Sequence, residues 1–247
     1  MKSNSDKCHL IIAENDNRSY TSTSYIYIDN ELLESEDSVK LLGVTIDRKL
    51  NFYGHVKSIL KKGNQKLHAL MRVSKYMSEE KLRLIMKTFI ESQFNYCPLI
   101  WMFHSRELNA KINRLHERAL RVVYKNDELS FQQLLDKDKS FTIHERNLQK
   151  LALEMYKVKH KLSPKPVQDI FVENENNNGK WILPRTRTTN YGLETIRYRG
   201  PKTWEIVPEE IKNSKTLSQF KANIKNWKPQ GCTCRLCKIF IRNLGYL

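Results

Sequence analysis

The sequence is short of carboxylates. It has 27 Asp and Glu against 43 Lys and Arg, a formal charge of +16 at pH 7. No Asp-Asp pair occurs, and Asp136-Lys137-Asp138 falls in a Lys-balanced connection between a helix and a loop. Two-metal phosphoryl transfer needs clustered carboxylates to hold its cations, so no such site is expected. Glycine and proline are scarce too, at 8 and 7 of 247 residues. With no Gly-x-x-x-x-Gly-Lys, Gly-x-Gly-x-x-Gly or Gly-x-Ser-x-Gly run, nucleotide-cradling loops and nucleophile elbows are excluded. The seven histidines show no His-x-x-x-His spacing and read as helix-surface or interface side chains. The longest nearly continuous apolar stretch, Cys97 to Phe103, falls far short of the roughly 20 residues of a membrane span. Met1 to Lys7 lacks the apolar core of a secretory signal, and five cysteines form no even disulfide framework. The expectation is an intracellular protein, nuclear or cytoplasmic, that is neither secreted nor embedded in a membrane.

What is present suffices for a folded core, with 40% apolar and 10% aromatic residues. Residues 1–50 hold 6 basic and 9 acidic side chains and alternate in the strand manner at Tyr25-Ile28 and Leu41-Ile46. Residues 51–165 hold 23 basic and 11 acidic side chains and change to the helical period. There His55, Val56, Ile59, Leu60, Leu67, Leu70 and Met71 form one stripe, which Gly63 weakens by about 1 kcal/mol relative to Ala. Ser78 is the expected cap of a second helix with Leu82, Ile85, Met86, Phe89 and Ile90 buried. Ser105 caps a third, with Leu108, Ile112, Leu115, Ala119 and Val122 buried, and Thr142-Ile-His-Glu145 is a capping box opening a fourth. Six of the seven prolines lie from Pro164 onward, marking a turn-rich module. The fold class expected is α+β, mostly α. Antiparallel strands occupy 1–52, a helical bundle 53–171, an Asn-rich loop 172–180, and a small mixed module 181–247.

Two groups of residues carry chemistry. Lys111, Arg114, Arg118, Arg121 and Lys125 recur at three, four or seven residues, opposite the apolar face of their helix, with Lys61 and Lys62 on a neighbouring one. Such a ridge matches the spacing of phosphates, so a nucleic acid is the expected partner, bound without regard to sequence and weakened by salt. Near the end, Cys232-Thr-Cys234-Arg-Leu-Cys237 places three thiols in one loop. Zinc is the ion such a trio takes, but a tetrahedral site needs four ligands. No histidine follows Cys237, so the fourth is expected from His160, Cys97, a partner chain or water; otherwise the trio is a reduced turn. Cys8 and Cys97, among apolar neighbours, read as core thiols.

Across these residues the chain resembles the C-terminal part of the reverse transcriptase of jockey-like non-LTR retrotransposons. Lys2-Ser-Asn-Ser-Asp-Lys-Cys-His-Leu10 is similar to the segment after that family's catalytic strand. Val39-Lys-Leu-Leu-Gly-Val-Thr-Ile-Asp47 resembles its primer-gripping hairpin, which implies that role for Leu42, Gly43 and Val44. Residues 53–125, with Tyr96-Cys-Pro-Leu-Ile-Trp101 and the Lys111 to Arg121 helix, resemble its thumb, while Tyr198-Arg-Gly-Pro-Lys-Thr-Trp204 and the cysteine trio resemble its C-terminal module. The resemblance implies a palm remnant at 1–52 and a duplex-tracking thumb that contacts an RNA/DNA template–primer. It places the Mg²⁺-binding carboxylates upstream of Met1, so the chain is expected to be a non-catalytic fragment of an RNA-directed DNA polymerase. The competing expectation is an inert or partner-binding helical module, docking the missing upstream half or another chain through exposed strand edges.

Overall fold

Side-chain alternation gives way to helical spacing at Tyr53, and the architecture changes at the same point. The computed structural model describes residues 8–13, 26–28, 30–174 and 180–237. Lys2 to Lys7, the centre of the Asn-rich loop and the last ten residues lie outside them. Two antiparallel hairpins form: β1 (Ile26–Ile28) with β2 (Glu31–Leu33), and β3 (Ser38–Leu41) with β4 (Val44–Asp47), where Leu41 faces Val44; the strand expected at Leu41–Ile46 is broken by the turn at Leu42-Gly43, and Tyr25 lies outside the described residues. The Asp47 carboxylate then accepts from the backbone N–H groups of Lys49, Asn51 and Phe52, which turns the chain into the first helix.

That helix, α1 (Tyr53–Val73), buries His55, Val56, Ile59, Leu60, Leu67 and Leu70 as the spacing predicts, although Met71 is 42% exposed. α2 (Glu79–Ile85) starts at Ser78, whose hydroxyl makes no cap bond, and continues as a π turn over Met86–Ile90. A π turn holds more residues than an α turn, so the face rotates: Leu82, Met86 and Ile90 are buried, while Phe89, expected inside, is 57% exposed. The Lys66 ammonium covers its ring at 5.9 Å.

After α3 (Pro98–Trp101), Ser105 caps α4 (Arg106–Tyr124) by accepting from the Leu108 N–H. Here Leu120 and Val123 are buried and Val122 only half-buried, a small rotation from the expected stripe. A helix that the spacing did not predict, α5 (Phe131–Asp138), opens with a Ser130/Gln133 capping box. α6 (Ile143–Lys159) opens with the predicted Thr142/Glu145 box. The remainder holds α7 (Lys165–Gln168), the two-residue strands β5 (Glu173–Asn174) and β6 (Lys180–Trp181), and α8 (Ile196–Glu205), α9 (Glu209–Lys212) and α10 (Leu217–Ile224). The described fold is thus α+β and mostly helical, with short antiparallel strand pairs.

Three apolar clusters hold it together. The first joins α1, α2, α4 and α5 through Leu67, Leu82, Ile112 and Leu134. The second sets Ala152, Met155 and Tyr156 of α6 against Trp204, Phe220 and Trp227. The third gathers Met102, Leu148 and Leu151 around Cys232, Cys234 and Leu236. α6 is the wall shared by all three, with Ile143 in the first cluster.

Candidate nucleic-acid interface and metal centre

α1 and α4 run side by side in the same direction. Lys57, early in α1, acts on Glu107 at the start of α4; a Cβ on Gly63 would lie 3.1 Å from Leu115; and Met71 and Ser74 share a groove with Arg121 and Val122 near the other ends. Gly63 is therefore a contact point: without a side chain it lets the two backbones approach at mid-length.

The five cations expected to form a ridge are on α4 and its C-cap, but they are not equivalent. Lys111 is held by Glu107 at 2.5 Å and Arg121 by Glu117 at 2.8 Å, both one helical turn apart. The Arg121 guanidinium also donates to the Asp127 carbonyl. Arg114, Arg118 and Lys125 are exposed, and among the described residues their side chains have no acidic partner. Arg118, Arg121 and Lys125 line the groove of about 460 Å³ between the two helices, with Met71, Ser74, Val122 and Asp127. Lys61 and Lys62 are exposed on α1, and Lys62 lies toward the buried His55 ring, where its charge adds to burial in lowering the affinity of His55 for a proton.

The hairpin resembling a primer grip packs against the start of α1, away from the end that carries the groove. Leu42 and Gly43 form its turn with φ of 46° and 85°, left-handed at both positions as tight two-residue hairpins require. Leu42 is 82% exposed, whereas Val44 is buried. The Tyr96 hydroxyl donates to the Leu42 carbonyl at 2.5 Å, and the Thr45 N–H donates to His55 Nδ1 at 3.3 Å, fastening the hairpin to the helices. Next to it, the Lys57 ammonium sits 4.3 Å from the centre of the Tyr53 ring.

The cysteine trio is brought to a fourth ligand, and it is neither of the two named from the sequence. His160 caps the far end of α6, exposed and tilted against the Tyr156 ring with centroids 4.2 Å apart, and Cys97 is half-buried ahead of α3. The residue present is His144, on the first turn of α6, with Nε2 3.2 Å from Cys234 Sγ across ninety residues of sequence. Read from the sequence as a surface or interface residue, His144 is buried, because the first turn of α6 faces the third cluster. The ligand atoms of His144, Cys232, Cys234 and Cys237 all lie within 4.8 Å of one another, a group that could hold a metal ion. No local spacing signals this pairing.

Around the group, Glu194 and Arg199 form a buried ion pair at 2.5 Å, and the Arg235 N–H donates to the same Glu194 carboxylate. The Arg235 carbonyl accepts from Arg106, and the Arg235 guanidinium donates to the Phe103 carbonyl. The cysteine loop is thus tied to the residues that begin α4. Hydrogen bonds from Cys234 and Cys237 favour the Cys232 thiolate, holding its pKa well below the thiol range, and those contacts push Cys237 up.

Among the described residues no helix is long and apolar enough to cross a membrane. No family model matches the chain, and no curated protein or solved structure matches it.

Proposed function

We propose that this protein holds a nucleic-acid duplex, an RNA/DNA template–primer by preference, through its phosphates and without reading its sequence. The observation that carries the proposal is the set of three exposed ridge cations Arg114, Arg118 and Lys125, which have no acidic partner among the described residues; Arg118 and Lys125 also line the α1/α4 groove. A helix whose other face is locked in a core presents such cations at a fixed spacing, which suits a phosphate backbone better than a base edge. The likeness to the jockey-like reverse transcriptase thumb favours the same reading and supplies a role for Leu42, Gly43 and Val44 at the primer end. In this reading the chain derives from an RNA-directed DNA polymerase and contributes grip, with no catalytic residue assigned to it. Lys111 and Arg121 contribute less than their positions in the sequence suggest, since each already has a carboxylate. Cys232, Cys234 and Cys237 are read as zinc ligands, because soft thiolates select zinc over the harder divalent ions.

Titration of a labelled RNA/DNA hybrid at two salt concentrations tests the proposal. Binding at low salt that falls steeply as salt rises supports it, and no binding at low salt ends it.

A second reading, a partner-binding module, is favoured by Ile26, Tyr27, Leu32, Leu41 and Leu42, all 42–82% exposed on two-stranded hairpins. Light scattering after gel filtration decides it. A stable dimer or larger species supports this reading, and a monomer at all concentrations counts against self-association.

A further inference from the structure

We infer that His144 completes a closed, four-ligand metal site with Cys232, Cys234 and Cys237, and that the bound ion staples the end of the described chain to the first turn of α6. The inference deepens the zinc reading and rests on it.

The dimensions fit one ion. Three sulfurs and one nitrogen at zinc distances near 2.3 and 2.1 Å are separated by roughly 3.6 to 3.8 Å at a tetrahedron's edges. The four side chains already converge within 4.8 Å. They do so in a place where free thiols have little reason to cluster: Cys234 is 3% exposed, Cys232 and His144 are 8% exposed, and the surrounding side chains are Met102, Leu148, Leu151 and Leu236. The approach of His144 is through Nε2, while its Nδ1 is buried with no hydrogen-bond partner among the described residues. A ring with one nitrogen turned to sulfur and the other unpartnered is poorly satisfied as a core histidine. As a ligand through Nε2, the ring gains a strong bond at the nitrogen facing the sulfur. Three cysteines and one histidine fill a tetrahedral shell, leaving no position for water or substrate, the arrangement of a structural rather than a catalytic site.

The consequence is tertiary. Cys232 to Cys237 is a turn with little regular hydrogen bonding, in which the Cys237 N–H donates to the Cys234 carbonyl. An ion would bind this turn to a helix that belongs to all three apolar clusters, and through the Arg235 carbonyl and Arg106 to the start of α4. Because such ligands come together only in the folded state, metal affinity and docking of this segment are linked.

The full chain, purified without chelator, is assayed for zinc and then titrated with Co²⁺ after zinc removal. About one zinc per chain, and intense Co²⁺ d–d absorption typical of tetrahedral thiolate coordination, are expected. In His144→Asn, Co²⁺ affinity should fall by at least the roughly tenfold that even outer-shell partners are worth. His144→Cys should restore binding with the absorption shifted by a fourth thiolate, and His160→Asn should bind as the parent does. Hydrogen exchange read by mass spectrometry should show that chelation raises exchange in 142–150 and 230–237 and leaves α1 unchanged. The two readings fail separately. If the parent chain binds neither zinc nor Co²⁺, the zinc reading falls and the inference with it. If metal binds but His144→Asn keeps parental affinity and spectrum, the zinc reading stands and His144 is not a ligand. Unchanged exchange at 142–150 on chelation overturns the staple.

Discussion

Glu91 is 5% exposed, yet it is charged. Burial works to raise its pKa, but the contact with His116 at 3.2 Å and the Arg146 guanidinium at 2.5 Å outweigh it, bringing the pKa to about 2. His116, wholly buried, is shifted down by burial despite the carboxylate beside it, so it sits neutral in the fold. Both shifts have the same sign for stability. A group whose pKa is lower folded than unfolded binds more protons when unfolded, so acid favours unfolding. The loss begins as pH falls below 6.5 through His116 and continues from 4.5 toward 2 through Glu91. Glu91→Gln is expected to destabilise the protein at pH 7 by less than the roughly 3–5 kcal/mol that breaking a fully buried pair costs, because the Arg146 left without its partner is only half-buried. It should also flatten the acid limb below pH 4.5, and urea unfolding at pH 7 and pH 3 measures both effects. Asp138 follows the same physics. Expected in a Lys-balanced connection between a helix and a loop, it lies buried at the end of α5, where Arg83, Tyr124 and Lys87 hold its pKa low against the effect of burial.

Among the elements, caps and close contacts set what each helix contributes. Thr142 and Ser130 form reciprocal capping boxes, whereas the Ser78 hydroxyl makes no cap bond. Thr142→Ala and Ser130→Ala should each cost about 1 kcal/mol, and Ser78→Ala should stay within about 0.5 kcal/mol, as read by thermal unfolding. Gly63 opposes two effects. Alanine there gains about 1 kcal/mol of helix propensity, but its methyl meets the Leu115 side chain at 3.1 Å. Valine removes the ambiguity: Gly63→Val should cost about 1–3 kcal/mol by forcing α1 from α4, and Leu115→Ala in the same chain should recover part of that loss. A purely additive double variant would show that the two helices do not depend on this contact.

For the whole molecule, charge and the shared wall of α6 matter most. If Arg114, Arg118 and Lys125 each neutralise one phosphate, replacing all three by Gln should flatten the plot of log affinity against log salt by roughly 0.7–0.9 per lost contact. Replacing Lys111 and Arg121, already ion-paired, should change it less. Equal effects from the two sets would remove the distinction drawn from the ion pairs. Leu151 is fully buried in the cluster around the cysteines, so Leu151→Ala should cost about 2–5 kcal/mol and, in hydrogen exchange, loosen 230–237 more than α1.

The helical period of 53–124, the Ser105 and Thr142 caps and the concentration of positive charge were all legible in the sequence, whereas the strand expected at Leu41 to Ile46 is split by a turn at Leu42 and Gly43. Each legible feature depends on residues within a few positions of one another, where chain geometry relates spacing directly to direction. The outward turn of Phe89, the buried charge of Asp138 and the helix after Ser130 were harder to see, because a π turn, a distant Arg83 and a short segment with few apolar residues leave no strong local pattern. Which histidine meets the cysteines was decided by tertiary structure alone, whereas the pairing of Lys111 with Glu107 and of Arg121 with Glu117 is local, each four residues apart on α4. That meeting depends on packing a distant segment against α6, and the ninety residues between His144 and Cys234 are spanned by the core rather than by any sequence motif.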